Sequence, residues 1–410
     1  MKLKYMILAA AALTLTACSE DGLESSSIFD NSSSAVQNDF DRWLQKNYVE
    51  PYNIEFKYRF EYKESDPQYN LAPADYDKSI ALAKLTKFLW IEPYEQLMGK
   101  DFIRTYAPKI LSLVGSVAYN SNGGVVLGTA EGGMKIVLYN VNNLDPDNLS
   151  MEFLNEWYFN TMHHEFSHIL HQTKAYSTDF NEISKADYQS DSWVNLSDEE
   201  ALAMGFVNNY ASSETREDFV QTIAFYITKS DEEWQELLDQ TIVVVTDENG
   251  DPVYELDEHG NVVYVTDEEG YPVPARDRRG NIIYQTDQYG NYVWATDENG
   301  NFVFRTDDEG NRIPMTDSEG NIIYQTTDEG EIVYDAQGNP VPEYWKIPVP
   351  EFEKQLMLDY SGYNKLMQKL AMVKDYLKNN WNIDIEELHR IVQERMARVA
   401  AGELDLKSLN

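Results

Sequence analysis

From Thr246 to Gly320 one five-residue phrase, Thr-Asp-x-x-Gly, returns at multiples of ten positions, and nothing else limits the fold of this chain as tightly. It stands at Thr246–Gly250, Thr266–Gly270, Thr286–Gly290, Thr296–Gly300, Thr306–Gly310 and Thr316–Gly320. Aspartate opens a turn, glycine supplies the positive φ that closes it, and a β-prone run such as Asn291-Tyr292-Val293-Trp294-Ala295 follows as a strand. Such repetition predicts a chain of hairpins, an antiparallel meander or a β-solenoid, held up by stacking or sheet pairing. An aromatic recurs at Tyr254, Tyr264, Tyr284, Trp294, Phe304 and Tyr324, with Pro274 and Pro314 in the gaps. Such a row can stack on sugar rings, but a one-layer sheet needs the same row as cross-strand pairs for its own stability. The Asp-x-x-Gly turns lack the alternating acids of an EF-hand loop, which argues against calcium.

Around the repeat the chain reads as globular, from Ala35 to about Ile242 and from about Trp345 to Asn410, with 42% hydrophobic residues overall. Helices are expected over Val36–Tyr48, Ser79–Trp90, Tyr363–Leu377 and Ile385–Val399, and a strand over Tyr52–Tyr62. Ser230-Asp231-Glu232-Glu233 is a capping box for a short helix through Leu238. The run from Phe153 to His171 holds no Gly or Pro and predicts one helix with an apolar face at Leu154, Tyr158, Met162, Ile169 and Leu170. That helix carries His164-Glu165-Phe166-Ser167-His168. Imidazoles at i and i+4 share one helix face and can share one metal ion, with the glutamate beside them as a base. His163 and His171 flank the motif, and Lys174 stands where the long metzincin pattern needs a histidine, which excludes that subclass.

A third ligand has to come from elsewhere. The candidate stretch runs from Asn209 to Gln221, small polar residues leading into an apolar helix with Glu217 in its first turn. A carboxylate is also what a helix N-terminus favours without any metal. His164-Glu165-Phe166-Ser167-His168, then Tyr210, then Glu217 in an acidic-Phe context resembles the catalytic domain of anthrax-toxin lethal factor. The resemblance implies that Glu217 completes a site for one zinc ion per chain with His164 and His168, and that Tyr210 points its hydroxyl at the reacting carbonyl. Gln221 departs from the gluzincin pattern, which carries an acid there to orient an imidazole. Over a longer span the chain resembles the zinc-binding metallopeptidase lipoproteins of Bacteroidota, associated with substrate import. The carrying segments are Pro51–Ile54, Ile91–Tyr94, Leu127–Gly133, His163–Gln172 and Trp381–Asp384. By analogy with zincins, Met134–Tyr139 is expected as the sheet-edge strand that binds substrate backbone.

Met1-Lys2-Leu3-Lys4, an apolar run from Tyr5 to Leu15 and Leu15-Thr16-Ala17-Cys18 read as a secretory signal with a lipobox. Cys18 is the only cysteine, so disulfides are excluded and lipidation is its expected fate. Ser19-Glu20-Asp21 resembles the tag that sends such lipoproteins to the outer face, and a Ser-rich stretch to Ser34 reads as a tether. A net charge of −37 excludes nucleic acid as a partner and leaves the lipid as the only tie to a membrane.

The reading that results is an α+β zincin-like metallopeptidase domain, mostly helical with a small sheet, interrupted by an all-β decapeptide-repeat insertion. Its expected parts are a signal peptide (1–17), a tether (18–34), the catalytic domain (35–242 and 345–410) and the repeat (243–344). The expected function is hydrolysis of peptide bonds by a surface-exposed outer-membrane lipoprotein. Glu165 and Tyr210 are its catalytic residues, His164, His168 and Glu217 its zinc ligands, and an importer with its binding lipoprotein its partners. A zinc-containing binding lipoprotein without catalysis and a repeat-bearing adhesin are the alternatives.

Overall fold

The structure, a computed structural model, describes residues 37–62, 69–119, 125–126, 128–131 and 134–409. The signal peptide, Cys18 and the tether lie outside them. The chain divides into two compact units, one of Met1–Thr241 with Ser361–Asn410, the other of Ile242–Tyr360. The second unit thus runs on to Tyr360 and does not end at 344. The reason is that residues 340–356 form bridges with the repeats themselves.

The first unit is mainly helical around a four-stranded sheet. Strands β1 (Glu55–Lys57), β2 (Ile110–Leu113), β5 (Gly128–Glu131) and β6 (Lys135–Leu138) lie in the order β1-β2-β6-β5, while β3 (Ala118–Tyr119) and β4 (Val125–Val126) pair apart. β1, β2 and β6 run parallel with Phe56, Leu111 and Ile136 in register, and β5 is antiparallel to β6. Met134–Tyr139 is therefore no edge, since β6 is bonded on both sides; the edge next to it is β5. Phe56, Leu111, Leu113, Ile136 and Leu138 are buried in one large core with Trp90, Tyr94 and Phe166.

The expected helices form with shifted ends. Tyr52–Tyr62 gives a strand only at Glu55–Lys57. The segment before the motif is helical from Met151 without a break, passes through a π turn at Asn155–Phe159, and continues as α1 (Asn160–Thr173). Ser150 caps its start by accepting from the Phe153 amide. Beyond the apolar face read from the sequence, Phe166 packs edge-on against Trp90 (5.6 Å), Tyr94 (4.9 Å) and Phe102 (5.9 Å). Pinned there, α1 cannot roll, which fixes where its other face points. The second site helix is α2 (Thr215–Thr228). Helices α3 (Ser361–Tyr376) and α4 (Ile385–Ala400) follow the second unit, and Gly362 starts α3 where any Cβ would meet the Ala203 carbonyl at 2.5 Å. Among the described residues no helix is long and apolar enough to cross a membrane.

In the second unit regular strand is confined to Val243–Val244 against Leu358–Asp359. The five-residue runs expected as strands are isolated bridges, because successive alternate residues face different partners. Trp294 bridges Pro348, whereas Thr286 bridges Tyr292 and Thr296 bridges Phe302. The intervening residues close rings of three backbone bonds: Gln285 donates to Val349, Val349 to Val293, and Val293 back to Gln285. Ala295, Ile347 and Val303 repeat the arrangement, and so on along the unit. Every proline here (252, 272, 274, 314, 340, 342, 348 and 350) sits at an even position, where no ring needs its missing N–H. The aromatic row packs on the returning segment: Tyr264 lies 6.0 Å from Phe352, Phe304 lies 5.9 Å from Tyr344, and Lys354 sits over Tyr254. In every turn except the one at Thr327, where the threonine hydroxyl accepts instead, an aspartate serves its own backbone. Asp297 Oδ1 accepts from the Asn299 and Asn301 amides and Oδ2 from the Asn301 side chain.

Candidate metal centre

α1 and α2 run antiparallel. His164 lies against Glu217 and the Asn155 side chain, two turns earlier, donates to the Thr228 carbonyl at 2.9 Å. This pairing brings three donor atoms to one point. His164 Nε2 is 3.1 Å and His168 Nε2 3.3 Å from Glu217 Oε2, and the two nitrogens are 3.1 Å apart. Zinc takes imidazole nitrogen and carboxylate oxygen at about 2.0–2.2 Å, and tetrahedral ligands at such lengths stand roughly 3.3 Å apart. The triangle therefore fits one tetrahedral ion on three corners. Three electron-rich atoms so close repel one another unless protons or a cation lie between them. Among the described residues this is the one cluster of three or more His, Cys, Asp or Glu side chains able to hold a metal.

The electrostatics follow from burial. Burial pushes the Glu217 carboxyl up, but hydrogen bonds from His164 and His168 outweigh it and hold the group well below the usual carboxylate range. Glu165 has no such partners: burial raises it to about 7, with His168 pulling down and Glu217 pushing up. Tyr210 opens a single 3-10 turn (Tyr210–Ser212), its ring 6.0 Å from that of His164 and edge-on to Trp193 at 5.0 Å. Its hydroxyl is raised by burial and by the Glu217 carboxylate, and so stays protonated.

His171, which the sequence left as a flanking residue, has a definite place. Its Nε2 is 2.9 Å from His168 Nδ1. Burial, and after it His168 and Arg216, hold its pKa down at about 4, so it is neutral, and its Nε2 can accept from His168. Accepting from His168 Nδ1–H, it would leave the His168 Nε2 lone pair free for an ion at the centre. The spacing of three from His168 was the available signal. His164 has no such support: its Nδ1 and the Oε1 of Gln221 are both buried without a partner. His163 belongs to the core, bonded through Nδ1 to the Tyr94 hydroxyl at 2.9 Å and lowered to about 3 by burial.

Two cavities open along the α1–α2 pair, neither of them lined by His164, Glu165, His168, Tyr210 or Glu217. One, of about 340 Å³, is lined by Asn160, a turn before His164, and Gln221, a turn after Glu217. The other, of about 400 Å³, is lined by His171 and by Glu214, Thr215 and Arg216.

Comparison with known proteins agrees with this chemistry. A solved structure described as "a putative zinc-binding metallo-peptidase from Bacteroides caccae" is similar at a TM-score of 0.55 and 29% identity, covering 93% of this chain and 99% of that one. No curated protein is similar to the chain. Residues 33–268 match the family described as "Putative zinc-binding metallo-peptidase", and these span all five centre residues. The chain belongs to that family of zinc-binding metallo-peptidases.

Proposed function

We propose that this chain is a zinc-dependent peptidase with His164, His168 and Glu217 as ligands. The observation that carries the reading is the convergence of these three donors to 3.1–3.3 Å with Glu165 and Tyr210 beside them. A zinc ion held there supplies Lewis acidity, polarising a carbonyl and making water a nucleophile at neutral pH.

The remaining work falls to side chains. Glu165 takes the proton from the attacking water and delivers it to the departing amide nitrogen. A carboxyl lifted towards neutrality is suited to both halves of that task. Tyr210 donates its hydroxyl hydrogen to the carbonyl oxygen as charge builds on it. His171 holds His168 in the productive tautomer.

The lipobox around Cys18 supports anchoring by a lipid in the outer membrane, facing outward. The resemblance to import-associated lipoproteins supports an importer and its binding lipoprotein as partners. The decisive experiment is Glu165→Gln: turnover of peptides should vanish while one zinc per chain is retained. Undiminished cleavage by that variant would remove the mechanism.

A further inference from the structure

We infer that in the zinc-loaded centre Gln221 is the positioning residue for His164. Its side-chain oxygen accepts the His164 Nδ1–H and so aims Nε2 at the ion, the service that His171 is placed to give His168. This deepens the reading above and rests on its zinc site.

The first observation is a matched pair of unmet needs. His164 Nδ1 and Gln221 Oε1 are both shut off from solvent, and neither has a hydrogen-bond partner. The two residues are each only 7% exposed. A neutral imidazole carries one hydrogen. When Nε2 gives its lone pair to an ion, that hydrogen sits on Nδ1, which then needs an acceptor. An amide oxygen is an acceptor only. Leaving both groups buried and unpaired is costly, and one bond between them answers both.

The second observation is the packing that brings the two together. His164 Nε2 lies 3.1 Å from Glu217 Oε2 across the antiparallel helices. Gln221 stands four residues after Glu217 on α2, about one turn, and at that level α1 carries Asn160, which shares a cavity wall with Gln221. Every Cα–Cβ bond of a helix leans toward that helix's own N-terminus. On α1 this carries the His164 ring toward the level of Asn160; on α2 it carries the Gln221 side chain toward the level of Glu217. The two side chains therefore lean toward each other, and the torsions of glutamine let its oxygen swing onto Nδ1. Gln221 and the neutral His171 are both uncharged acceptors. A carboxylate in either place would raise the basicity of its imidazole, so neutral partners leave more of the ion's charge for the water and the carbonyl.

The test is zinc affinity of the full chain, read by competition with a chromophoric chelator. Gln221→Met keeps the length of the side chain and removes the acceptor, whereas Gln221→Glu keeps an acceptor. Gln221→Met should bind zinc about ten- to a hundredfold more weakly than the parent, and Gln221→Glu at least as tightly. A residue that merely filled space would give the opposite order, since methionine suits a buried site and a carboxylate does not. Magnetic resonance of the zinc-loaded parent, with nitrogen-labelled histidine, gives a readout that needs no variant. The His164 Nδ1–H signal should lie downfield, as a hydrogen-bonded proton does, and should move upfield in Gln221→Met while that of His168 stays. Unchanged affinity in Gln221→Met, equal weakening in both variants, or an upfield His164 signal in the parent overturns the pairing. The expected order with no cleavage of any peptide upholds the pairing and overturns the peptidase. Cleavage by the parent without that order overturns the pairing alone, and a parent that binds no zinc overturns both.

Discussion

Lys369 Nζ stands 2.8 Å from Asp218 Oδ2, and neither side chain has any exposure to solvent. Asp218 follows Glu217 directly on α2, while Lys369 belongs to α3, more than a hundred residues later. Lys369 also donates to the Gly205 carbonyl at 2.8 Å and lies 3.9 Å from the Phe206 ring centre; Tyr188 donates to Asp218 at 2.8 Å. Burial raises the Asp218 carboxyl and lowers the Lys369 ammonium, each opposed by its partner. The helix that carries the third donor is thus held from a part of the chain beyond the repeat.

Removing one member of this pair leaves a buried charge uncompensated. Lys369→Met should destabilise the first unit by about 3–5 kcal/mol, and adding Asp218→Leu should recover part of the loss. Urea unfolding followed by tryptophan fluorescence measures both. A loss below about 1 kcal/mol for the single variant would contradict the pair as drawn.

His171 orients His168 without being placed to bind the ion itself. His171→Phe should weaken zinc affinity by about ten- to a hundredfold, read by competition with a chromophoric chelator. Unchanged affinity would mean that the 2.9 Å contact does not set the tautomer.

Tyr210 and Glu217 separate into rate and binding. Tyr210→Phe should cost on the order of a hundredfold in kcat with zinc retained. Glu217→Ala should lose zinc on dialysis, and a chelator should silence the parent protein in the same way. A fully loaded Glu217→Ala protein would show that the ion is held by other groups.

The repeat turns set an acid limit on the second unit. Hydrogen bonds from Asn281, Asn301 and their counterparts hold Asp277, Asp297 and the like below their ordinary 3.8. A group whose folded pKa is depressed stabilises fully above its unfolded value and loses that contribution as pH falls through the folded one. The second unit should therefore keep its full stability above pH about 4 and lose it progressively below, as thermal unfolding followed by circular dichroism at stepped pH will record. Stability that rises on acidification would refute the turn chemistry.

Proline placement tests the rings of backbone bonds. Val293→Pro removes the N–H that Gln285 accepts and should cost roughly 3 kcal/mol, while Tyr284→Pro, at an even position like Pro274 and Pro314, should be tolerated. Equal effects at the two sites would mean that the rings do not hold the unit.

Much of the centre was legible before any coordinates. Helical periodicity puts His164 and His168 one turn apart whatever surrounds them. Glu217 stood in the candidate stretch for a third ligand, but its assignment as that ligand and the role of Tyr210 came through resemblance, because a distance of 49 residues between His168 and Glu217 carries no geometric signal. The role of His171 was missed, since whether a neighbour crowds or supports a ligand depends on rotamers. Met134–Tyr139 was misjudged as an edge because pairing depends on which strands flank it, and the Gly-Thr-Ala-Glu composition of β5 does not announce a strand.

What the sequence determined by itself was local: the turns at Asp and Gly, the capping boxes, the motif face and the odd–even placement of proline. These follow from φ preferences and hydrogen bonds within a few residues. Tertiary structure alone decided which distant groups meet: Glu217 with the two imidazoles, Lys369 with Asp218, and residues 340–356 with each repeat in turn. Such contacts are chosen by how whole elements pack and bury charge, a balance that no stretch of a dozen residues contains.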